Sequence, residues 1–239
     1  VLWLSRLDAD HEYVLLGRPE DRGLIGTPGP RFTWIDERAG NYSLREQFAI
    51  PRALARARVN LFHAPHYVVS PLVRVPFVVT IHDCIHLRFP EYLPNRAAYT
   101  YARMMLRSSA HRARRVLTVS EASKLDIVRY LGVPADRVDV VANALDSRLA
   151  VEPSAEELRQ VRERFQLDGR FVLYAGNIKP HKNLDRLIEA FAILRRRGLQ
   201  DVTLLISGNE VSKYPGLRRL VHQLQLDRQV RFLGFVPDR

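Results

Sequence analysis

Cysteine is nearly missing from this 239-residue chain; Cys84 stands alone. No disulfide can close within it, which argues against a stapled secreted fold and for a reducing compartment. Long apolar runs are missing too, and none approaches the roughly 18 residues of a membrane-spanning helix. No signal-peptide pattern, internal repeat or low-complexity tract is visible. The chain opens on "VLWLSRLDAD", without methionine and within a helical pattern, and closes on "FLGFVPDR", just past a strand pattern. Both ends are therefore expected to be cuts through a longer protein. Lysine is scarce as well, with 4 lysines against 33 arginines.

What is present is 46% hydrophobic, enough for a core, and carries a net charge of +11. A basic excess of this size suits a polyanionic partner such as nucleic acid, an anionic membrane or a phosphorylated ligand. The scattered arginines are equally consistent with a general preference for arginine at exposed basic positions. No zinc-finger spacing, RNP-like aromatic pair or recognition-helix motif accompanies the charge, so no nucleic-acid partner is expected.

Apolar runs bounded by turn signals alternate with helical periodicity, the pattern of parallel strands joined by helices. Strands are expected at 12–17, 31–36, 59–65, 76–83, 115–120 and 137–143, and helices at 43–57, interrupted by Pro51, and 95–113. Ser120 is placed to cap a helix over "EASKLDIVRYL", and Gly132 to end it. From Ala144 to Arg170 the chain turns polar and shows no strand pattern, so a domain boundary is expected near residue 150: 1–150 and 151–239. The second part reads βαβαβ, with strands at "RFVLYAG", 201–208 and 230–236.

Two of the four lysines, Lys179 and Lys182, share one short loop in "VLYAGNIKPHKNLDRLIEAFAIL". The stripe Leu184, Leu187, Ile188, Phe191 and Leu194 predicts a helix packed on a sheet, with Asn183 as its N-cap. Gly176 ends what reads as a buried strand, at the end where open α/β sheets bind ligands. A helix N-terminus there offers N–H groups and partial positive charge, and the Lys182 ammonium can share an anion with them. The loop thus reads as a phosphate site, although it fits neither the dinucleotide fingerprint nor the P-loop. "HAPH" and "HDCIH" place His63, His66, His82, Cys84 and His86 at spacings that a zinc site could use, although each group ends a separate strand.

The long loop segment resembles the start of the C-terminal domain in family 4 of the retaining glycosyltransferases, the "group 1" family with the GT-B fold. "VVTIHD", "VLTVSEASKLDIVRYLGVPADRVDVVANALD", "LLISG" and "VRFLGFVPD" follow in the family's order and spacing, and "DADHEYVLLGRPE" is a weaker match near the start. The resemblance implies an α/β chain of GT-B type, with two Rossmann-like domains facing across a cleft. The first would chiefly bind the acceptor and the second the nucleotide sugar. It implies transfer of a hexose with retention of configuration, from a donor of the GDP-mannose kind, to a glycan or lipid-linked acceptor. No metal or other cofactor is implied. The place of work would be the cytoplasm, with peripheral docking on an anionic membrane face as a further option.

Residue by residue, the resemblance makes Lys182 a donor-phosphate contact beside Gly176. Asn177 stands where the family often has a second phosphate-binding arginine, and a neutral amide cannot supply that charge; Lys179 is a candidate substitute. His82 matches the histidine that contacts the donor sugar, and Asp83 follows it as a group that could orient the loop or the acceptor. Ser120 and Glu121 match a strand-end pair, Ser120 chiefly as a cap. Asn143 matches a turn in which Ala144 replaces the family's glycine. The family's glycine-rich loop is expected upstream of Val1, and its donor-binding glutamate pair downstream of Arg239. The alternatives are an inactive fragment, a GT-B relative with other sugar-phosphate chemistry and, more remotely, a nucleic-acid-binding or zinc-binding protein.

Overall fold

The computed structural model describes residues 1–7, 10–24, 29–40, 42–145, 147–209 and 213–236. Residues 8–9, 146 and 237–239 of the stretches quoted above lie outside them. The chain folds as two compact units, Val1–Ala144 and Leu145–Arg239.

Unit 1 begins with helix α1 (Leu2–Leu7) and a parallel pair, β1 (Tyr13–Gly17) and β2 (Phe32–Asp36). Helix α2 (Leu44–Ala57) leads into a parallel sheet of β3 (Phe62–Ala64), β4 (Phe77–Thr80), β5 (Arg115–Thr118) and β6 (Val138–Val140), neighbours in that order. Parallel pairing requires crossovers. α3 (Ile85–Arg88) and α4 (Arg96–Arg112) supply one, and α5 (Glu121–Leu131) another. Phe77, Val79 and Val116 of the sheet share a buried core with Leu106 of α4 and Ile127 and Leu131 of α5. Each such side chain contributes about 1.5–3 kcal/mol by leaving water.

The helices start where short polar side chains can take orphan N–H groups. Ser43 accepts from Glu46 N at 3.1 Å, Asn95 from Ala98 N at 2.8 Å and Ser120 from Ser123 N at 3.1 Å. Gly132, at φ 70°, ends α5 with its N–H on the Val128 carbonyl. Pro51 does not interrupt α2, contrary to the sequence reading. Proline withholds the bond that the carbonyl four residues earlier would accept. That carbonyl is Gln47 O, and the buried Ser70 hydroxyl donates to it at 2.6 Å.

Unit 2 runs α6 (Ala155–Phe165), β7 (Arg170–Ala175), α7 (Leu184–Arg196), β8 (Val202–Ser207), α8 (Pro215–Gln223) and β9 (Val230–Gly234). The three strands are parallel in the order β7-β8-β9. Leu184, Ile188 and Phe191 of α7 and Leu217 and Val221 of α8 pack on Leu204 and Ile206 of β8. Leu194, the last member of the predicted stripe, is 47% exposed. Helix α6 falls in the polar stretch that was read only as lacking a strand pattern. Its signal is Ser154-x-x-Glu157, a full capping box in which each residue's side chain bonds the other's backbone N–H. β7 corrects a second expectation. It is the sheet's edge rather than a buried strand, and Leu173 is 55% exposed. Its run of apolar residues suits a strand flanked on both sides, but among the described residues only β8 pairs with it.

Candidate functional site

The lysine loop leaves β7 at the carboxyl end of the sheet in unit 2. Gly176 sits at φ 153°, where a side chain would be strained, and its N–H continues the ladder to Ser207 O at 3.1 Å. Gly208, at the end of β8, is tighter still. A Cβ there would overlap the Gly176 carbonyl oxygen and lie 3.0 Å from its carbon. Gly208 N in turn donates to Gly234 O, at the end of β9, at 2.9 Å. Three neighbouring strands thus end on glycines whose backbones lie against one another. The sequence analysis singled out only the first; the signal for the others is that each strand of unit 2 closes on glycine.

The loop beyond Gly176 is pinned at two points. The Tyr174 hydroxyl donates to Asn177 O at 3.0 Å, and the Ile178 side chain is 1% exposed. Between these anchors the Asn177 side chain faces solvent, and beyond them so do Lys179 and Lys182. Pro180–Lys182 form a single 3-10 turn, closed by Lys182 N on Lys179 O at 2.9 Å. Asn183 then takes the left-handed conformation, φ 55° and ψ 41°, and its side chain makes no capping bond. This corrects the expectation of an ordinary N-cap, because capping needs an extended backbone at that position. The first-turn N–H groups of α7 therefore lack the partner that a capping side chain would supply. Among the described residues the Lys182 ammonium has no partner either, and it stands directly before this helix start. Two open hollows on unit 2, beside Arg228 and beside α6, contain none of the loop's residues.

In unit 1 the residues with chemical potential gather at the carboxyl ends of β3 and β4. Ile81 N extends the ladder to Leu117 O, and the next residue, His82, is exposed. Its Nε2–H donates to Pro65 O at 3.3 Å. Asp83 accepts from Ile85 N at 3.0 Å and so holds the start of α3. His66 lies nearby. Burial lowers its proton affinity, His82 and His86 lower it further, and Asp83 works against them. Ser120 and Glu121 begin α5, Ser120 as its cap and Glu121 exposed; Asn143 is exposed in the loop after β6.

The suspected zinc ligands do not converge. Among the described residues no three His, Cys, Asp or Glu side chains are placed to hold a metal ion. His63 turns to Thr80, with Nε2 2.8 Å from its hydroxyl. Cys84 is buried, and burial, with Asp126 and Asp83, pushes its thiol up to about 12.

Six residues of unit 1 that the sequence analysis did not join lie together beside His82: Tyr42, Glu46, His66, Tyr67, His86 and Tyr101. The Tyr42 hydroxyl is 3.3 Å from His66 Nε2, and the two rings meet edge to face. His66 packs 4.2 Å from Tyr67, which faces His86 at 6.3 Å. Burial is the first cause that raises the pKa of Tyr67, Tyr101 and Glu46.

Two Rossmann-like units in one chain, with a candidate anion site at the strand ends of the second, define a protein of the GT-B fold. Residues 3–149 match the family model "Glycosyltransferase Family 4", and residues 155–239 match "Glycosyl transferases group 1". The chain belongs to this glycosyltransferase family. It is 32% identical to O-antigen chain mannosyltransferase B of Escherichia coli over 188 residues, 78% of this chain and 48% of that protein. It is 31% identical to the alpha-D-kanosaminyltransferase of Streptomyces kanamyceticus over 172 residues, 71% of this chain and 44% of the other. The chain thus spans about half the length of the curated relatives it matches. Among solved structures, Anabaena HepE in complex with UDP and glucose superimposes with a TM-score of 0.68 at 18% identity, covering 96% of this chain and 70% of HepE.

Proposed function

We propose that the protein transfers a hexosyl group from a nucleotide sugar to a glycan or lipid-linked acceptor, with retention of configuration, and that the loop Gly176–Lys182 receives the donor diphosphate. One observation carries this reading. At the carboxyl end of a parallel strand, a helix without a side-chain cap begins next to a lysine that has no partner among the described residues. The helix start contributes about half a positive charge. The ammonium adds a full one that can follow charge as it develops. As the anomeric carbon–oxygen bond breaks and the acceptor oxygen bonds to that carbon, negative charge collects on the diphosphate. These groups are preorganised to meet it, so the reading calls for no divalent cation. The names of the relatives support mannose as the transferred sugar. His82 carries the family's sugar contact in this proposal, and its exposure suits that task.

Lys182→Ala tests the reading. Calorimetric titration with GDP and UDP should show about tenfold or greater loss of affinity, the worth of a charge-assisted hydrogen bond, with the melting temperature unchanged. Equal affinity in a folded variant refutes it.

The proposal extends to an anionic membrane surface as the place where a lipid-linked acceptor would be met. The observation that favours this is on α4. Arg96, Arg103 and Arg107 recur at helical spacing on one face and are exposed without partners among the described residues, beside Met104, which is 55% exposed. The sequence counts more arginines here than are available. Arg112 is held by the Ser70, Pro71 and Val73 carbonyls, and Arg115 by Asp139. No described helix is long and apolar enough to cross a membrane.

A further inference from the structure

The cluster around Tyr42 has a chemistry unlike that of the lysine loop. Glu46 uses one carboxylate oxygen, Oε2, to hold Tyr42 N at 2.7 Å; Oε1 has no partner among the described residues. His66 Nδ1 lies 3.4 Å from Val68 N and accepts from it, which leaves Nε2–H to donate toward the Tyr42 hydroxyl. Tyr67 is buried close by, its ring 4.2 Å from that of His66, and its hydroxyl feels Tyr42. Tyr42 itself is 55% exposed and sits at φ 63°, a left-handed conformation that costs a bulky residue strain. Such strain persists where the surroundings hold it, and it gathers at functional sites. Among the described residues, the titratable groups that act on Glu46, His66, Tyr67 and Tyr101 are the cluster's own Glu46, Tyr42 and Tyr101, with Asp83, His82 and His86; no lysine or arginine is among them.

A free carboxylate oxygen, a Tyr42 phenol left to donate because His66 Nε2–H points to its oxygen, and an exposed aromatic edge match a ring that carries vicinal hydroxyls on a C–H framework. They do not match an anion, which would find a carboxylate and no fixed cation. We propose that Tyr42, Glu46, His66 and Tyr101 form a subsite for an uncharged sugar residue of the acceptor: hydroxyls donate to Glu46 Oε1 and the sugar's C–H face rests on Tyr42. This inference rests on the glycosyl-transfer reading. It narrows the acceptor to a glycan whose receiving end is a neutral hexose, rather than a phosphorylated sugar, a uronic acid or a bare lipid phosphate.

The test is saturation-transfer NMR on the full chain with methyl α-mannoside, mannose 6-phosphate and methyl glucuronide, beside calorimetry with GDP and UDP. The neutral glycoside should bind most tightly. Glu46→Gln keeps an acceptor for Tyr42 N but loses the charge; it should weaken the glycoside about tenfold and leave nucleotide binding unchanged. Tyr42→Asn is the second variant. Asparagine accepts the left-handed conformation more readily, so this variant should melt higher than the parent while binding the glycoside more weakly, a combination that a purely structural tyrosine would not give. Parental glycoside affinity in both folded variants, or tighter binding of either anion, overturns the subsite. In that case Lys182-dependent binding of GDP or UDP would still uphold the donor reading. Glu46-dependent glycoside binding without any nucleotide binding would keep the subsite and sink the transferase reading.

Discussion

Replacing Gly208 by alanine adds one methyl group at the point where three strand ends touch. The new Cβ would overlap the Gly176 carbonyl oxygen and stand 3.0 Å from its carbon, where about 3.5–4 Å is comfortable. The obstacle is backbone, so no rotamer can relieve it. The strand ends must part, and two bonds weaken as they do: Gly176 N to Ser207 O and Gly208 N to Gly234 O. Overpacking of this kind costs about 1–3 kcal/mol, and the two bonds about 0.5–1.5 kcal/mol each. A total of about 2–6 kcal/mol lowers the melting temperature of a unit this size by on the order of 10–40 °C. Nucleoside diphosphate affinity should fall as well, because Gly176 begins the loop that carries Lys182. Gly216→Ala is the control. No atom lies within 4 Å of its Cβ position and it sits in α8, so alanine should raise stability by up to about 1 kcal/mol. Circular dichroism melts of the two variants decide the matter. If Gly208→Ala melts with the parent, the close approach that shapes the loop is wrong.

Two further outcomes are expected. Burial lowers the proton affinity of His63 and His66 below the ordinary value of 6.5, so the unfolded chain binds more protons just below that pH. Stability should then be complete above about pH 6.5 and fall as pH drops through the depressed values; denaturant melts should show this, and His66→Gln should flatten the slope. The raised pKa of Glu46 acts in the opposite sense from its ordinary value of 4.5 upward, so a double variant with Glu46→Gln isolates the histidine slope; a slope no flatter than that of Glu46→Gln alone contradicts the assignment. Vesicle pelleting should be anion-dependent and salt-reversible, since three arginines at about 1 kcal/mol each hold the chain only while charges are unscreened. Arg103→Glu with Arg107→Glu should abolish it, and equal pelleting with neutral vesicles counts against the surface.

Much of the fold was legible because its signals are local. A serine before a helix shows where N–H groups will be taken, as at Ser120. The leucine stripe of α7 announces a buried face from spacing alone. The failures depend on neighbours. "FVLYA" reads as a strand covered on both sides, but coverage is a property of adjacent strands, and β7 has one. Asn183 has the right residue type for a cap, yet the preceding 3-10 turn sets its backbone left-handed and turns the side chain away from that task. The Tyr42 cluster was not legible as such: His66 and His86 stood out, but only as possible zinc ligands. It draws on the starts of α2 and α3, the loop after β3 and the body of α4, and only the parallel topology brings those segments to one edge.

The imbalance of lysine and arginine has a physical resolution. Many of the arginines act as forks that hold carbonyls: Arg112 takes three, Arg231 ties Phe165 and Gln166 at the end of α6 to β9, and Arg195 and Arg137 each bind two. A planar, five-donor head suits that work, and an ammonium does not. Those arginines fasten the fold, so the net charge of +11 is not by itself a guide to a polyanionic partner. Two of the four lysines, compact charges on flexible stems, stand instead in the loop that the proposed reading gives to the donor diphosphate. Lys182 is exposed there beside a helix start that lacks a side-chain cap, while the Tyr42 cluster in unit 1 has a carboxylate and no lysine or arginine acting on it. On the proposed reading, these two local environments, one with a lysine and one with a carboxylate, suit separate recognition of a charged donor and a neutral acceptor.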